Sequence, residues 1–479
     1  MIPFGEFAPD VSDLNLDVSS VANNCIPGVN SYLPLKALAA ASNALGNSCA
    51  GAVVMKDNTG NNYIFAGDKT KLYSISGITA TDFSKAGGYT DNAEGWSFIK
   101  WGSKVIASKR GDTPQILTLG SSTFADLGGS PPQSRTLSTI RDFVVTGNTY
   151  DGTDGSIINR VRWSGFNDED QWTVGTNQSD FQDLQGRGGA VQRIVGGEYG
   201  IVFQERSIWR MSYVGTPLVF QLDEVEPGLG TPAGGSVVQH GSDIYYLGQD
   251  GFYVLRNGST STPIGVSKVD LFFWKNVNQS YLSRITAAIS PKDGVIVWAY
   301  PSLDSNGEPD RMILFNYKTG KWSTASMGCQ TLLQGATSAY TLEDLDDFGT
   351  LDALTSSLDS DIWKGGSFQI AAFNTENKLA FFSGETLPIT IETGEISSEA
   401  GLSSLSSVRP VIDGECTVTV STRNNLLDTP TEGLPASVDS TQKANLRTHA
   451  RYHRIKIHST GDFTHAQGVE PVVITRGKR

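Results

Sequence analysis

Cysteine is nearly absent from this chain: four residues in 479 (Cys25, Cys49, Cys329 and Cys416), at long spacings, with no C-x-x-C pair and no histidine at zinc-finger distance. A disulfide framework and a cysteine-ligated zinc site are therefore excluded, and buried free thiols are expected. Charge is also scarce, 18% of residues against about 25% in ordinary soluble domains. No uncharged apolar run approaches the roughly 18 residues that span a bilayer, so no membrane insertion is predicted. Met1-Ile2-Pro3-Phe4-Gly5-Glu6 lacks the basic start and apolar core of a signal peptide, which predicts a soluble chain made in a cytoplasm. Positive charge is in deficit, with a net of −13, and this argues against a protein that grips nucleic acid by neutralising phosphates. Helical periodicity is short as well, confined to the Ala-rich residues 35–45 and to residues 348–363.

What the chain does have is glycine, 52 residues, placed between short runs of aromatic and β-branched residues. Asn62-Tyr63-Ile64-Phe65-Ala66-Gly67 and Lys71-Leu72-Tyr73-Ser74-Ile75 flank a hairpin tip at Asp68-Lys69-Thr70. The same unit recurs at Ser97-Phe98-Ile99-Lys100-Trp101 with Lys104-Val105-Ile106-Ala107-Ser108, and at Gly200-Ile201-Val202-Phe203 with Ser207-Ile208-Trp209-Arg210-Met211. Further copies are Ile244-Tyr245-Tyr246-Leu247 with Gly251-Phe252-Tyr253-Val254-Leu255, and Val295-Ile296-Val297-Trp298-Ala299-Tyr300 with Arg311-Met312-Ile313-Leu314-Phe315. Starts about 40 to 50 residues apart match the period of a four-stranded propeller blade. The expected fold is all-β: a β-propeller of about six blades over residues 46–385, with a seventh if residues 367–382 supply one.

Two flanking segments complete the organisation. Residues 1–45 are punctuated by proline and read as an extended arm that wraps a neighbour or closes the ring. Residues 386–479, with the alternating runs Cys416-Thr417-Val418-Thr419-Val420 and Tyr452-His453-Arg454-Ile455-Lys456-Ile457, read as a smaller C-terminal β-domain. Residues 441–479 hold eight of the 37 basic residues and two of the 50 acidic ones, so this end is net +6 and the rest of the chain −19.

The residues that carry chemistry elsewhere do not assemble into a catalytic pattern. His449 and His453 are four apart, a metal spacing on a helix, but in a strand four residues span about 13 Å. Gly186-Arg187-Gly188-Gly189 lacks the Lys-Ser/Thr of a phosphate loop and leads into a strand. Asp57-Asn58-Thr59-Gly60-Asn61 and Asp304-Ser305-Asn306-Gly307-Glu308 resemble parts of calcium loops without their closing glutamate, and read as turns. The reading is of a protein that is not an enzyme and uses no cofactor and no metal. Asp168, Glu169 and Asp170, between Trp163 and Trp172, form a candidate acidic loop. Asp344, Asp346 and Asp347 form a second.

Arg160-Val161-Arg162-Trp163-Ser164-Gly165-Phe166-Asn167-Asp168 and Ile201-Val202-Phe203-Gln204-Glu205-Arg206-Ser207-Ile208-Trp209-Arg210-Met211 resemble stretches of the tail nozzle, or tail hub, proteins of short-tailed bacteriophages. So do Tyr246-Leu247-Gly248-Gln249-Asp250-Gly251-Phe252-Tyr253, Trp298-Ala299-Tyr300-Pro301-Ser302 and Lys321-Trp322-Ser323, in an order that runs through most of the chain. The resemblance implies a structural virion protein, a propeller subunit that forms a hexameric ring at the distal tail. Such a ring docks on a tail adaptor ring protein, contacts tail fibres or a needle, and conducts or gates the packaged genome, with non-specific passage of DNA. Arg447, Arg451, His453 and Arg454 are then expected as assembly contacts, and the two acidic loops as candidate channel residues, since an acidic lumen repels phosphate. The alternative is a propeller-based tail protein that binds or depolymerises carbohydrate, with Trp96, Trp101, Trp172, Trp274 and Trp298 as stacking candidates.

Overall fold

The computed structural model describes residues 1–336, 368–397 and 401–475. Its hairpins assemble into seven four-stranded antiparallel blades, so the chain is a seven-bladed β-propeller. The innermost strands, in ring order, are Gly51–Lys56, Ser97–Trp101, Gln133–Ile140, Val191–Val195, Val238–His240, Thr286–Ser290 and Thr331–Ala336. Blades one to six each run outward from their own inner strand in sequence order. Blade seven is composite: Thr331–Ala336, Phe368–Phe373 and Lys378–Thr386 come from the C-terminal side, and Lys36–Ala44 is its outermost strand.

That last strand corrects the helix expected at residues 35–45. Alanine favours helix when nothing else decides, but here a strand edge supplies a ladder along the whole segment, from Lys378 opposite Ala44 to Thr386 opposite Lys36. Small side chains also suit the site: Ala39 and Ala41 are buried, and a Cβ on Gly384 would lie 3.1 Å from the Ala37 carbonyl oxygen. The second expected helix, residues 348–363, lies outside the described residues. Among the described residues there is one α-helix, Asp270–Asn276, at a place where the sequence periodicity predicts none.

Strands apolar on both faces follow from the architecture, because each blade packs on two others. Seven apolar clusters fill the seven blade-to-blade seams. Blades one and two share Phe65, Trp96, Val105 and Phe124, and blades seven and one share Ile64, Ala66, Leu333, Phe373 and Phe381. A polar seam runs nearer the axis. Ser97 Oγ accepts from Leu137 N (3.0 Å), Thr136 Oγ1 from Ile194 N (3.3 Å) and Thr286 Oγ1 from Leu332 N (3.1 Å), so a hydroxyl on one inner strand anchors the next.

The remaining strands grow from blade six. Its outer strand, Lys321–Ala325, meets Val18–Asn23, which pairs with Ile389–Thr393; Tyr452–Ser459 and Thr417–Arg423 continue the same sheet. A second sheet, of Tyr32–Pro34, Ala466–Thr475, Ser403–Ile412 and Ala444–Ala450, packs on it as a β-sandwich. Leu405, Val408 and Val469 face Ile391, Val420 and Ile457 across its core.

The N-terminal segment also holds the helix. Asp10 accepts from Leu271 N and Phe272 N, each at 2.8 Å, and caps the first turn. Beside it the buried Asp270 carboxylate accepts from Phe252 N (3.1 Å) in space left by Gly251 and Gly265, where a Cβ would come within 2.2 and 2.0 Å of its oxygens. Burial, with Asp10 and Asp250 nearby, pushes the Asp270 pKa up to about 6. Because the folded-state value exceeds the unfolded one, the ionised form opposes folding, and the penalty grows from about pH 4 to 6 and stays constant above. Asp270→Asn is therefore expected to be more stable than the parent at pH 8, by up to about 3 kcal/mol, with the gain shrinking toward pH 4. Denaturation midpoints of both proteins across that range check this.

Candidate functional site

At the ring axis residues at the starts of the inner strands line a cavity of ≈ 240 Å³. Its wall is mostly small and neutral, with Gly51, Ala52, Gly95, Ser97, Gly234 and Gly235 among the lining residues. The glycines let neighbouring blades touch: a Cβ on Gly234 would lie 2.4 Å from the Gln192 carbonyl oxygen, and one on Gly235 2.3 Å from that of Ile285. Arg135 from blade three and Arg193 from blade four also line this space, and among the described residues no carboxylate does. Arg135 reaches Glu94 at 3.6 Å. At about 30 Å³ per water the cavity holds a few small molecules and cannot admit a duplex.

The candidate acidic loop does not reach this axis. Asp168, Glu169 and Asp170 lie between the third and fourth strands of blade three, Gly155–Trp163 and Asp180–Asp183, on the side away from the cavity. Glu169 is buried and joins blade three to blade two: Trp101 Nε1 donates to it at 2.9 Å and Lys104 Nζ pairs with its other oxygen. Burial raises the Glu169 pKa, but the bonds from Lys104 and Trp101 outweigh it and hold the carboxyl below its usual range. Asp170 accepts from Gly128 N at 3.1 Å, and Asp168 from Asp170 N at 3.2 Å. All three shape the loop and its seam. Asp344, Asp346 and Asp347 lie outside the described residues.

The four expected assembly residues divide into two pairs. Arg447 and Arg451 are exposed. His453 is buried, with Nε2 3.0 Å from Ser403 Oγ, and burial lowers its pKa. It does not share a strand with His449, because the chain passes from one sheet to the other between them. Arg454 is spent inside the protein: its Nη2 meets Asp13 Oδ2 at 2.7 Å and Glu395 Oε1 at 3.0 Å, and its Nε lies 3.6 Å from Glu392. Arg423 binds the other oxygen of Glu395 at 2.6 Å. This buried network ties the N-terminal segment to the sandwich, and alternation along the strand gave no sign of it, since Asp13 is 441 positions from Arg454.

The outward face of the second sheet carries a feature the sequence reading missed. Val472 and Ile474, 45% and 55% exposed, stand on Ala466–Thr475 beside Ser407 and Ser404, with His449 on the next strand and Leu402 just before the row. The edge strand Ala444–Ala450 carries Arg447, and among the described residues its free side bears only the bridge of Ala444 to Val438. A groove of ≈ 480 Å³ between blades two and three is lined by Tyr150, Asp151, Asp154, Arg162 and Phe181. Its carboxylates are engaged, Asp151 by Arg162 at 3.1 Å and Asp154 by Arg160. Of the tryptophans considered for sugar stacking, Trp96, Trp172 and Trp298 are buried in blade seams, while Trp101 and Trp274 are half-buried.

No family model matches the chain. No curated protein matches it either. Solved structures similar to it include the computationally designed Ika8 protein (12% identity, TM-score 0.39, covering 75% of this chain and 98% of that one). BamB from Moraxella catarrhalis is similar at 10% identity and TM-score 0.36, covering 75% and 92%, and the Neurospora crassa Pan2 WD40 domain at 7% and 0.41, covering 74% and 96%. The propeller assignment rests on the strand pairing described above.

Removing one partner of a buried ion network leaves uncompensated charge. Arg454→Ala, which strips Glu392 and Glu395 of a shared cation, is expected to cost about 3–5 kcal/mol. Arg447→Ala on the exposed edge should change stability by less than about 0.5 kcal/mol. Urea unfolding of the two variants measures both.

Proposed function

We propose that the protein is a structural component of a short-tailed phage tail, a propeller subunit that closes into a ring with copies of itself and docks on an adaptor ring. The observation that carries this reading is the exposed face of the C-terminal sheet, where Leu402, Val472 and Ile474 lie beside His449 and the edge-strand Arg447. Grouped exposed apolar side chains mark interaction surfaces, and a strand edge left open invites a partner. Charge favours a second copy as that partner: Arg447 and Arg451 are exposed at this end of the chain while residues 1–440 are net −19, so these cations on one subunit complement the acidic body of the next. A contact between two different surfaces of one chain is heterologous, and it generates rings when the rotation closes. In that arrangement DNA passes along the axis of the assembly, past acidic subunit bodies that do not hold phosphate.

The carbohydrate reading has one observation on its side, the half-exposed Tyr150 ring in the groove between blades two and three. Burial raises the Asp151 pKa there, but the backbone N–H groups of Asp154 and Thr153, with Arg162, outweigh it and keep this carboxyl below its usual range. A general acid for glycoside cleavage needs the opposite shift.

Arg447→Ala combined with Arg451→Ala is the test of assembly, since both residues are exposed and the fold does not depend on them. Interface arginines contribute about 1–3 kcal/mol each, so the double variant should raise the concentration for half-assembly at least tenfold and leave 51.4 kDa monomer where the parent forms rings. Mass photometry with the adaptor present reads this. Unchanged ring formation by the double variant would count against the proposed face.

A further inference from the structure

The polar seam near the axis has one member that breaks its pattern. In each hydrogen bond of the seam, a hydroxyl on one inner strand accepts from the residue that follows the equivalent position on the next: Ser97 from Leu137, Thr136 from Ile194, Thr286 from Leu332. The equivalent positions are thus Ser97, Thr136, Arg193, Thr286 and Thr331. Four are hydroxyls, and blade four alone among these five carries a guanidinium, which cannot accept a hydrogen bond.

Arg193 lines the axial cavity and is half-buried. Among the described residues it has no hydrogen-bond acceptor and no carboxylate within ion-pair distance. Burial therefore lowers its pKa with no opposing charge to restore it. Arg135 is the second cation of the cavity, and the carboxylate it meets among the described residues, Glu94, lies outside the lining. Around the two arginines are groups that can donate to an oxygen anion: the hydroxyls of Ser97, Thr136 and Thr286, and the second N–H of the Gln192 amide, whose nitrogen also donates to Glu205 at 3.3 Å.

A cation removed from bulk water without a partner is costly, and a guanidinium fork matches the paired oxygens of carboxylate and phosphate. We propose that the axial cavity is a binding site for a small oxyanion, a free phosphate or carboxylate ion, held by Arg193 with Arg135 and cross-linking blades three and four at the axis. The volume of ≈ 240 Å³ suits such an ion with a few waters. The acidic balance of the whole chain gives no general attraction for anions, so the affinity is local to this cavity. The inference is independent of the ring reading, since it concerns one subunit.

The test is calorimetry and thermal unfolding of the full chain with inorganic phosphate, acetate or chloride at matched ionic strength. One saturable site for phosphate or for acetate, with a rise in Tm beyond that in chloride, is expected, and the two titrations tell which oxyanion is preferred. Arg193→Thr installs the residue type found at the equivalent positions; it should lose the response, with affinity at least tenfold weaker, and unfold at a higher temperature than the parent in chloride. Arg193→Lys, which keeps the charge and loses the fork, should fall between the two. Absence of saturable binding to the parent, or an Arg193→Thr variant that binds as tightly as the parent, would overturn the proposal.

Discussion

The pairing of Lys36–Ala44 with Lys378–Thr386 is the constraint on which the rest depends. Six blades form from consecutive strands, and each alone would leave an apolar face open. Only when an early strand completes the last blade does every face find a neighbour, and the seam of Ile64, Leu333 and Phe381 becomes continuous with the others. This contact joins segments more than 300 residues apart, so closing the ring carries the entropy cost of a long loop and the two ends of the chain stabilise each other.

The same segment that closes the ring builds the remainder. Before it reaches blade seven, the chain caps the helix Asp270–Asn276 through Asp10, enters the buried ion network through Asp13, and bridges blade six to Ile389–Thr393 through Val18–Asn23. The sandwich is thus held to the propeller by hydrogen bonds, apolar core and charge together.

Much of the fold was legible because hairpins announce themselves locally. The turn at Asp68, the alternation of Ser97-Phe98-Ile99-Lys100-Trp101 and the spacing of the units predicted blades, and Phe368–Phe373 with the first half of Lys378–Thr386 falls in the stretch 367–382 offered for a seventh, whose inner and outer strands lie outside it. Residues 35–45 misled because alanine content reports an intrinsic preference, whereas a strand edge far away in sequence decided the outcome. The site was less legible. Arg454 and His453 read as surface residues since alternation marks which side chains share a face and says nothing of a second sheet or an N-terminal loop above it. Arg193 had one available signal, its place one residue before Ile194, matching Thr136 before Leu137 and Thr331 before Leu332, but that register becomes visible only when the inner strands are aligned across blades.

Electron cryomicroscopy of the protein assembled on its adaptor tests the central claim most directly. The account predicts a closed symmetric ring in which Leu402, Val472, Ile474 and Arg447 are buried against the acidic body of the neighbouring subunit. A population of separate propellers, or a ring in which that face remains in contact with solvent, would contradict it.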